Sequence, residues 1–216
     1  MIYGLINDKI VSAEEYLIDL ELRKAQHICI NHSVLDVSIR FDNKEVDAFI
    51  LDAIGNKLII QLVLPLKEKF DDNSNAYKTS YIRKLLNSDT FLARFNKDFT
   101  KRIQETTINT EDYKTKDRFW LLSHEEINQS VDFLKLNNNT YAFDLFRYTD
   151  INSYTQLLLN LNHQKCFGWR LRSAYFDADY YGIGRYVGCV YYDGRVDYGY
   201  TYNAYGGALL PVCAIC

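Results

Sequence analysis

Apolar positions change period several times along the chain, and each change predicts an element. Over residues 12–28 (SAEEYLIDLELRKAQHI) Tyr16, Leu17, Leu20 and Ala25 recur at helical spacing. Ser12 and Glu15 stand at the S-x-x-E spacing of a capping box, so an amphipathic helix is expected. Residues 34–41 (VLDVSIRF) alternate with the period of a strand, and 46–54 and 58–64 are β-rich runs whose junction at Gly55-Asn56 predicts a hairpin. A polar loop at 73–77 precedes a helical pattern over 79–104 with core positions Ile82, Leu85, Leu86, Leu92, Phe95 and Ile103. Asn87-Ser88-Asp89 divides that pattern into two helices. Residues 119–122 read as a short apolar strand, and Ser123 to Glu126 repeats the capping-box spacing at the start of another helix.

After residue 173 the helical period disappears and the composition changes. Residues 174–207 hold 10 of the chain's 18 tyrosines and 7 of its 10 glycines. No Lys follows Lys165 and no Glu follows Glu126, yet no linker separates this stretch from the rest. The shift therefore reads as a specialised surface of irregular loops and short strands rather than a second domain.

The 216 residues, 48% of them hydrophobic, suffice for one core. With 25 basic against 28 acidic residues the net charge is −3, which gives no electrostatic reason to expect nucleic acid or an anionic membrane as partner. No signal peptide or membrane-spanning segment is legible, so a cytoplasmic or virion-associated protein is expected, without membrane insertion. Five scattered cysteines in such a chain read as reduced thiols.

Several stretches together resemble a known family. They are 47–70, Tyr81-Ile82-Arg83-Lys84-Leu85-Leu86-Asn87, Phe119-Trp120-Leu121-Leu122-Ser123-His124-Glu125-Glu126, Trp169-Arg170-Leu171-Arg172-Ser173, Gly188-Cys189-Val190, Asp193-Gly194-Arg195-Val196 and Leu210-Pro211. Their order resembles a bacterial and phage family of unknown-function domains that look like the formylglycine-generating-enzyme variant of the C-type lectin fold. Two positions depart from its pattern: Arg170 stands where a second Trp is usual, and Leu210 where an Arg is. The resemblance implies an α+β fold of short, twisted antiparallel strands with flanking helices and irregular C-terminal loops. It covers residues 45–216, which leaves 1–44 as an N-terminal helix and strand extension open to an assembly partner; the candidate variable region, 174–207, is read from composition instead.

Trp120 and Trp169, the only tryptophans, are flanked by β-type apolar residues and read as core anchors. Arg170 and Arg172 alternate with Trp169 and Leu171, so in a strand they share one face. Ion pairs or bonds to loop carbonyls are their expected role.

Residues 174–207 also lack Lys, Glu, Gln, Met and Trp, five types that fill 32 of the first 173 positions. An Asn codon of the form A-A-pyrimidine, varied at both adenines, encodes fifteen amino acids and misses those same five. The segment thus resembles the variable region of diversity-generating-retroelement target proteins, which are lectin-fold binders varied at the 3′ end of their genes. Tyrosine offers a large, rigid, amphipathic contact surface, and Gly, Asp and Asn offer adaptable hydrogen bonds, as in antibody paratopes. The residues expected on a ligand-binding surface are Tyr175, Phe176, Asp177, Asp179, Tyr180, Tyr181, Arg185, Tyr186, Tyr192, Arg195, Asp197, Tyr198, Tyr200, Tyr202, Asn203 and Tyr205. Val187, Cys189, Val190 and Val196 read as scaffold, and Gly188 and Gly194 as close-packing or turn positions.

Catalytic and metal signatures are weak. The four histidines lack H-x-x-x-H or H-E-x-x-H spacing, which argues against zinc. Asp177, Asp179 and Asp193 are the hard donors a calcium ion would take, without a calcium-loop pattern around them. The resemblance also brings in an oxidase with a copper-binding cysteine pair. Here Cys213 and Cys216 stand three apart in a terminal apolar strand and would face opposite ways. The expectation is a non-enzymatic protein without a cofactor that binds a protein or glycan. The alternatives are a structural or phage-associated domain with a fixed ligand and, third, the oxidase.

Overall fold

A computed structural model describes residues 1–7, 9–24, 30, 32–110, 113–127, 142–162, 168–175, 185–203 and 207–216. Among the described residues the chain is an α+β protein. Its elements run β1 (Ile2–Ile6), β2 (Lys9–Ser12), α1 (Ala13–Lys24), β3 (Arg40–Phe41), β4 (Lys44–Glu45), β5 (Ala48–Ile54), β6 (Lys57–Leu62), α2 (Tyr81–Leu86), α3 (Asp89–Leu92), α4 (Lys97–Thr100), β7 (Ile103–Gln104), β8 (Thr106–Thr110), β9 (Tyr113–Asp117), α5 (Asp144–Tyr148), α6 (Ile151–Asn162), β10 (Gly168–Tyr175), β11 (Tyr186–Tyr191), β12 (Val196–Tyr200) and β13 (Val212–Ile215). No helix among them is long and apolar enough to cross a membrane.

The main sheet has the order β2-β1-β5-β6-β13-β7. The β5–β6 hairpin turns at Gly55, whose φ of +62° suits glycine, as the sequence predicts. β13 pairs antiparallel with β6 and with β7, and all four of its residues, VCAI, are buried. On the other side β1 runs parallel to β5. Residues 1–24 are thus two strands of this sheet followed by a helix. α1 begins as expected: Ser12 Oγ accepts the Glu15 N–H at 3.1 Å, and Tyr16, Leu17 and Leu20 are buried. Tyr16 presses on Gly4, where a Cβ would lie 2.0 Å from its own. Lys24 ends the helix on the buried carboxylate of Asp52.

Three expectations are corrected. Only Arg40–Phe41 of the strand expected at 34–41 is a strand, because Asp42 and Asn43 take positive φ and turn the chain back at once into β4. The helical stretch 79–104 holds three helices and ends in β7: Ser80 Oγ caps α2, Ser88 Oγ caps α3, and Asn96 precedes α4. Residues 119–122 are fully buried, but contribute one bridge, Trp120 to Val212, rather than a strand. Ser123 and Glu126 make both reciprocal capping bonds, Glu126 N–H to Ser123 Oγ and Ser123 N–H to Glu126 Oε2. The residues between them form a turn, and 128–141 lie outside the described residues.

Trp120 and Trp169 are buried in one core, with Trp169 Nε1–H donating to Thr155 Oγ1 on α6 at 3.3 Å. Tyr154 on α6 crosses the main sheet, packing edge-on against Phe49 and donating to Gln61 Oε1 at 2.6 Å. A smaller three-stranded sheet, β10-β11-β12, is thereby joined to the core through β10 and α6.

Candidate ligand-binding face

Antiparallel register decides which side chains of the small sheet share a face. Tyr175, Tyr186 and Tyr200 stand opposite one another across β10, β11 and β12, and Tyr198 lies opposite Gly188 in the adjacent row. The Tyr198 ring stacks on Tyr175 from two strands away, with centroids 4.5 Å apart and planes 12° apart, while Leu171 packs against Gly188, where a Cβ would lie 3.2 Å from the Leu171 side chain. Tyr186 meets Tyr198 edge-on at 5.1 Å and Tyr200 at 4.5 Å, and Tyr200 meets Tyr202 at 5.1 Å. The result is a five-ring ladder.

Exposure rises along it. Tyr175 and Tyr186 are 9% and 7% exposed, Tyr198 is half-buried, and Tyr200 and Tyr202 are 43% and 49% exposed. The expected exposure of Tyr175 and Tyr186 is therefore corrected: the central strand and the core-side strand cover their rings with their neighbours. Exposed Arg185 accepts the Thr201 N–H through its carbonyl, and half-buried Asn203 closes the strand end. Both flank the open end of the ladder.

Other expected surface residues lie elsewhere. Tyr192 and Arg195 are exposed in the β11–β12 turn, about 13 Å along the strand from the ladder. Asp197 points to the opposite face, where its Oδ1 accepts the Tyr198 N–H at 2.9 Å. Phe176, Asp177, Asp179, Tyr180, Tyr181 and Tyr205 lie outside the described residues. The scaffold reading is borne out for Val187, Cys189 and Val190, which are buried, whereas Val196 is half-buried. Gly194 turns the hairpin at φ +78°, and a Cβ there would lie 2.5 Å from Asn152.

Sequence reasoning missed what holds the ladder in place. The carbonyl of Thr201 accepts the N–H groups of Phe70 and Asp71, and buried Asn75 donates Nδ2–H to the Tyr175 carbonyl at 3.0 Å. Nothing short-range in the sequence links residues 70–75 to a strand a hundred positions later. Tyr191 was also missed. Its hydroxyl donates to the Tyr198 carbonyl at 3.1 Å, and the Arg195 guanidinium covers its ring at 5.0 Å.

The two arginines of β10 behave differently. Arg172, 1% exposed, makes a bidentate pair with Glu126 at 2.6 and 2.8 Å and also donates to Thr110 Oγ1 and the carbonyls of Leu121 and Asn109. Arg170 makes none of these bonds. His124 and Ser173 form a buried pair, Nδ1 to Oγ 2.9 Å, in which Oγ also accepts the His124 backbone N–H. Cys213 is a buried free thiol whose pKa burial pushes well up, the reverse of activation. Among the described residues no group of three or more His, Cys, Asp or Glu is placed to hold a metal.

The molecule is thus an α+β protein carrying an aromatic face on a subsidiary sheet. The chain belongs to a family described as a domain of unknown function, DUF6273, whose profile matches residues 54–215. No curated protein and no solved structure matches it.

Proposed function

We propose that this protein recognises a protein or glycan ligand through the tyrosine-rich face of the β10-β11-β12 sheet. The scaffold in this reading is C-type lectin-like, of the formylglycine-generating-enzyme subtype. Residues 174–207 are the variable region of a diversity-generating-retroelement target, in a bacterial or phage setting. The observation that carries the reading is the graded ladder Tyr175–Tyr198–Tyr186–Tyr200–Tyr202. Rings locked at one end and open at the other give a rigid aromatic anchor that needs little ordering on binding. The missing five residue types within 174–207 support diversification independently. The reading is not catalytic and calls for no cofactor.

The test is to sequence the 3′ end of the gene, with its flanking DNA, across many copies of the native population. Variation confined to A-A-pyrimidine template positions, beside a near-repeat and a reverse transcriptase, is the expected result. Within 174–207 it should concentrate at exposed positions such as Arg185, Tyr192, Tyr200 and Tyr202 and spare buried Tyr175 and Tyr186. An invariant 3′ end without a repeat overturns diversification and leaves a fixed ligand.

A further inference from the structure

Arg170 and Arg172 leave the same strand two residues apart, and every guanidinium nitrogen of Arg172 is hydrogen-bonded. Arg170 is also buried, 1% exposed, yet among the described residues its guanidinium has no oxygen acceptor and no carboxylate, and the group that faces it is the sulfur of Cys189. Its cross-strand neighbour is Cys189, and behind Cys189 in the same row stands Asp197. Neither neutralises it. Burial outweighs the adjacent cation and pushes the Cys189 thiol up to about 11, so at neutral pH it is an uncharged, weak donor. The Asp197 strand lies two strand spacings away, about 10 Å, and its carboxylate is engaged by the Tyr198 N–H.

A guanidinium cannot shed its proton at physiological pH, and a buried cation without a counter-charge is strongly disfavoured. We propose that Arg170 is the anchor of a binding site for one small monovalent anion, of chloride to carboxylate size, beside Cys189 on the sheet face opposite the tyrosine ladder. Complete burial sets the size limit, because the bound anion must be enclosed with the guanidinium. Gly207 lies beside the aliphatic stem of Arg170, where an added Cβ would be 3.5 Å from Cγ, an ordinary contact. The site is independent of the aromatic face and stands whatever that face recognises.

The test is thermal unfolding of the full chain at constant ionic strength, with gluconate replaced stepwise by chloride, bromide, formate or acetate. The midpoint should rise by about 3–5 °C per tenfold increase of the preferred anion above its dissociation constant. Halide preference would mark an inorganic ion, and formate or acetate preference a carboxylate. Arg170→Met should abolish the rise. The same midpoint in every salt overturns the proposal, and so does a rise that survives Arg170→Met. If that variant does not fold, bromide-soaked and formate-soaked crystals of the wild-type chain decide. An anomalous peak in contact with the Arg170 guanidinium supports the site, as does formate density there in formate-soaked crystals, and neither ion there in either soak overturns it.

Discussion

Tyr186 and Tyr202 belong to one ladder but differ in what surrounds their rings. Tyr186 touches Tyr175, Tyr198 and Tyr200 and is 7% exposed, whereas Tyr202 touches Tyr200 and is 49% exposed. Truncating a buried ring removes both its transfer free energy and its packing, so Tyr186→Ala should cost about 3 kcal/mol in urea unfolding. Tyr202→Ala should stay within about 0.5 kcal/mol. Equal costs would show that the rings are packing units alike. His124 allows a pH experiment at the same scale. Its pKa is lowered, first by desolvation and further by the Arg172 charge, against an opposing pull from Glu125. The unfolded chain therefore binds the proton more readily than the folded one. Stability from this residue is fully present above about pH 6.5 and falls as pH drops from there toward the lowered folded value. His124→Asn keeps a polar group beside Ser173 Oγ without a titrating ring. Unfolding midpoints of that variant should fall less than wild type between pH 7.5 and 5.5, and parallel curves would refute the assignment.

Strand register explains why single positions in the small sheet are so constrained. Gly199 lies on the same face as Cys189, and a Cβ added there would sit 2.7 Å from the Cys189 sulfur. Gly199→Ala should cost about 1–3 kcal/mol as overpacking, and much of that should return in Cys189→Ala/Gly199→Ala, a coupling that a double-mutant cycle by denaturant unfolding measures. Additive effects would mean the sulfur moves aside freely. A second element-scale dependence is the joint between β10 and the 119–126 segment. Glu126→Gln leaves the buried Arg172 cation without its bidentate partner and should destabilise by about 3 kcal/mol, measured the same way. These joints also show which elements were legible in the sequence. The β5–β6 hairpin, α1 and its cap, and the burial of both tryptophans follow from local pattern and could be read. The pattern at 34–41 could not, because Val34, Val37, Ile39 and Phe41 are buried from an irregular path that mimics a strand's alternation. β8, β9, α5 and α6 were not foreseen. β8 and β9 are polar-rich (TTINT and YKTKD) with only Ile108, Thr110, Thr115 and Asp117 buried, so binary pattern gives little signal there. In the candidate face the residue type was legible and the grading was not. Exposure of a tyrosine depends on which strand is central, and that is set by tertiary pairing.

At the scale of the whole molecule, the main sheet is assembled from both ends of the chain. β1 is an inner strand beside β5, and β13 is an inner strand between β6 and β7. Such pairings between residues far apart in sequence leave no periodic trace, which is why residues 1–44 read as an extension of a domain running from 45 to 216. The contacts indicate a different role. β1 covers the edge of β5, the Ala48 N–H donates to the Met1 carbonyl, and Tyr16 and Leu20 of α1 are wholly buried in the common core. Removing residues 1–24 would therefore uncover the β5 edge at Ala48 and Phe49, where β1 pairs, two buried positions that could then pair with another chain. It would also strip the large side chains of α1 from the core. The expected outcome is a truncated chain that aggregates, or that elutes expanded with its near-ultraviolet circular dichroism lost, whereas the full chain elutes compact. A truncated chain that stays compact, with an unchanged near-ultraviolet spectrum, would make the first 24 residues an appendage. Residues 25–216 would then hold a complete folding unit, and the parallel pairing of β1 with β5 would be a docking contact rather than part of the core.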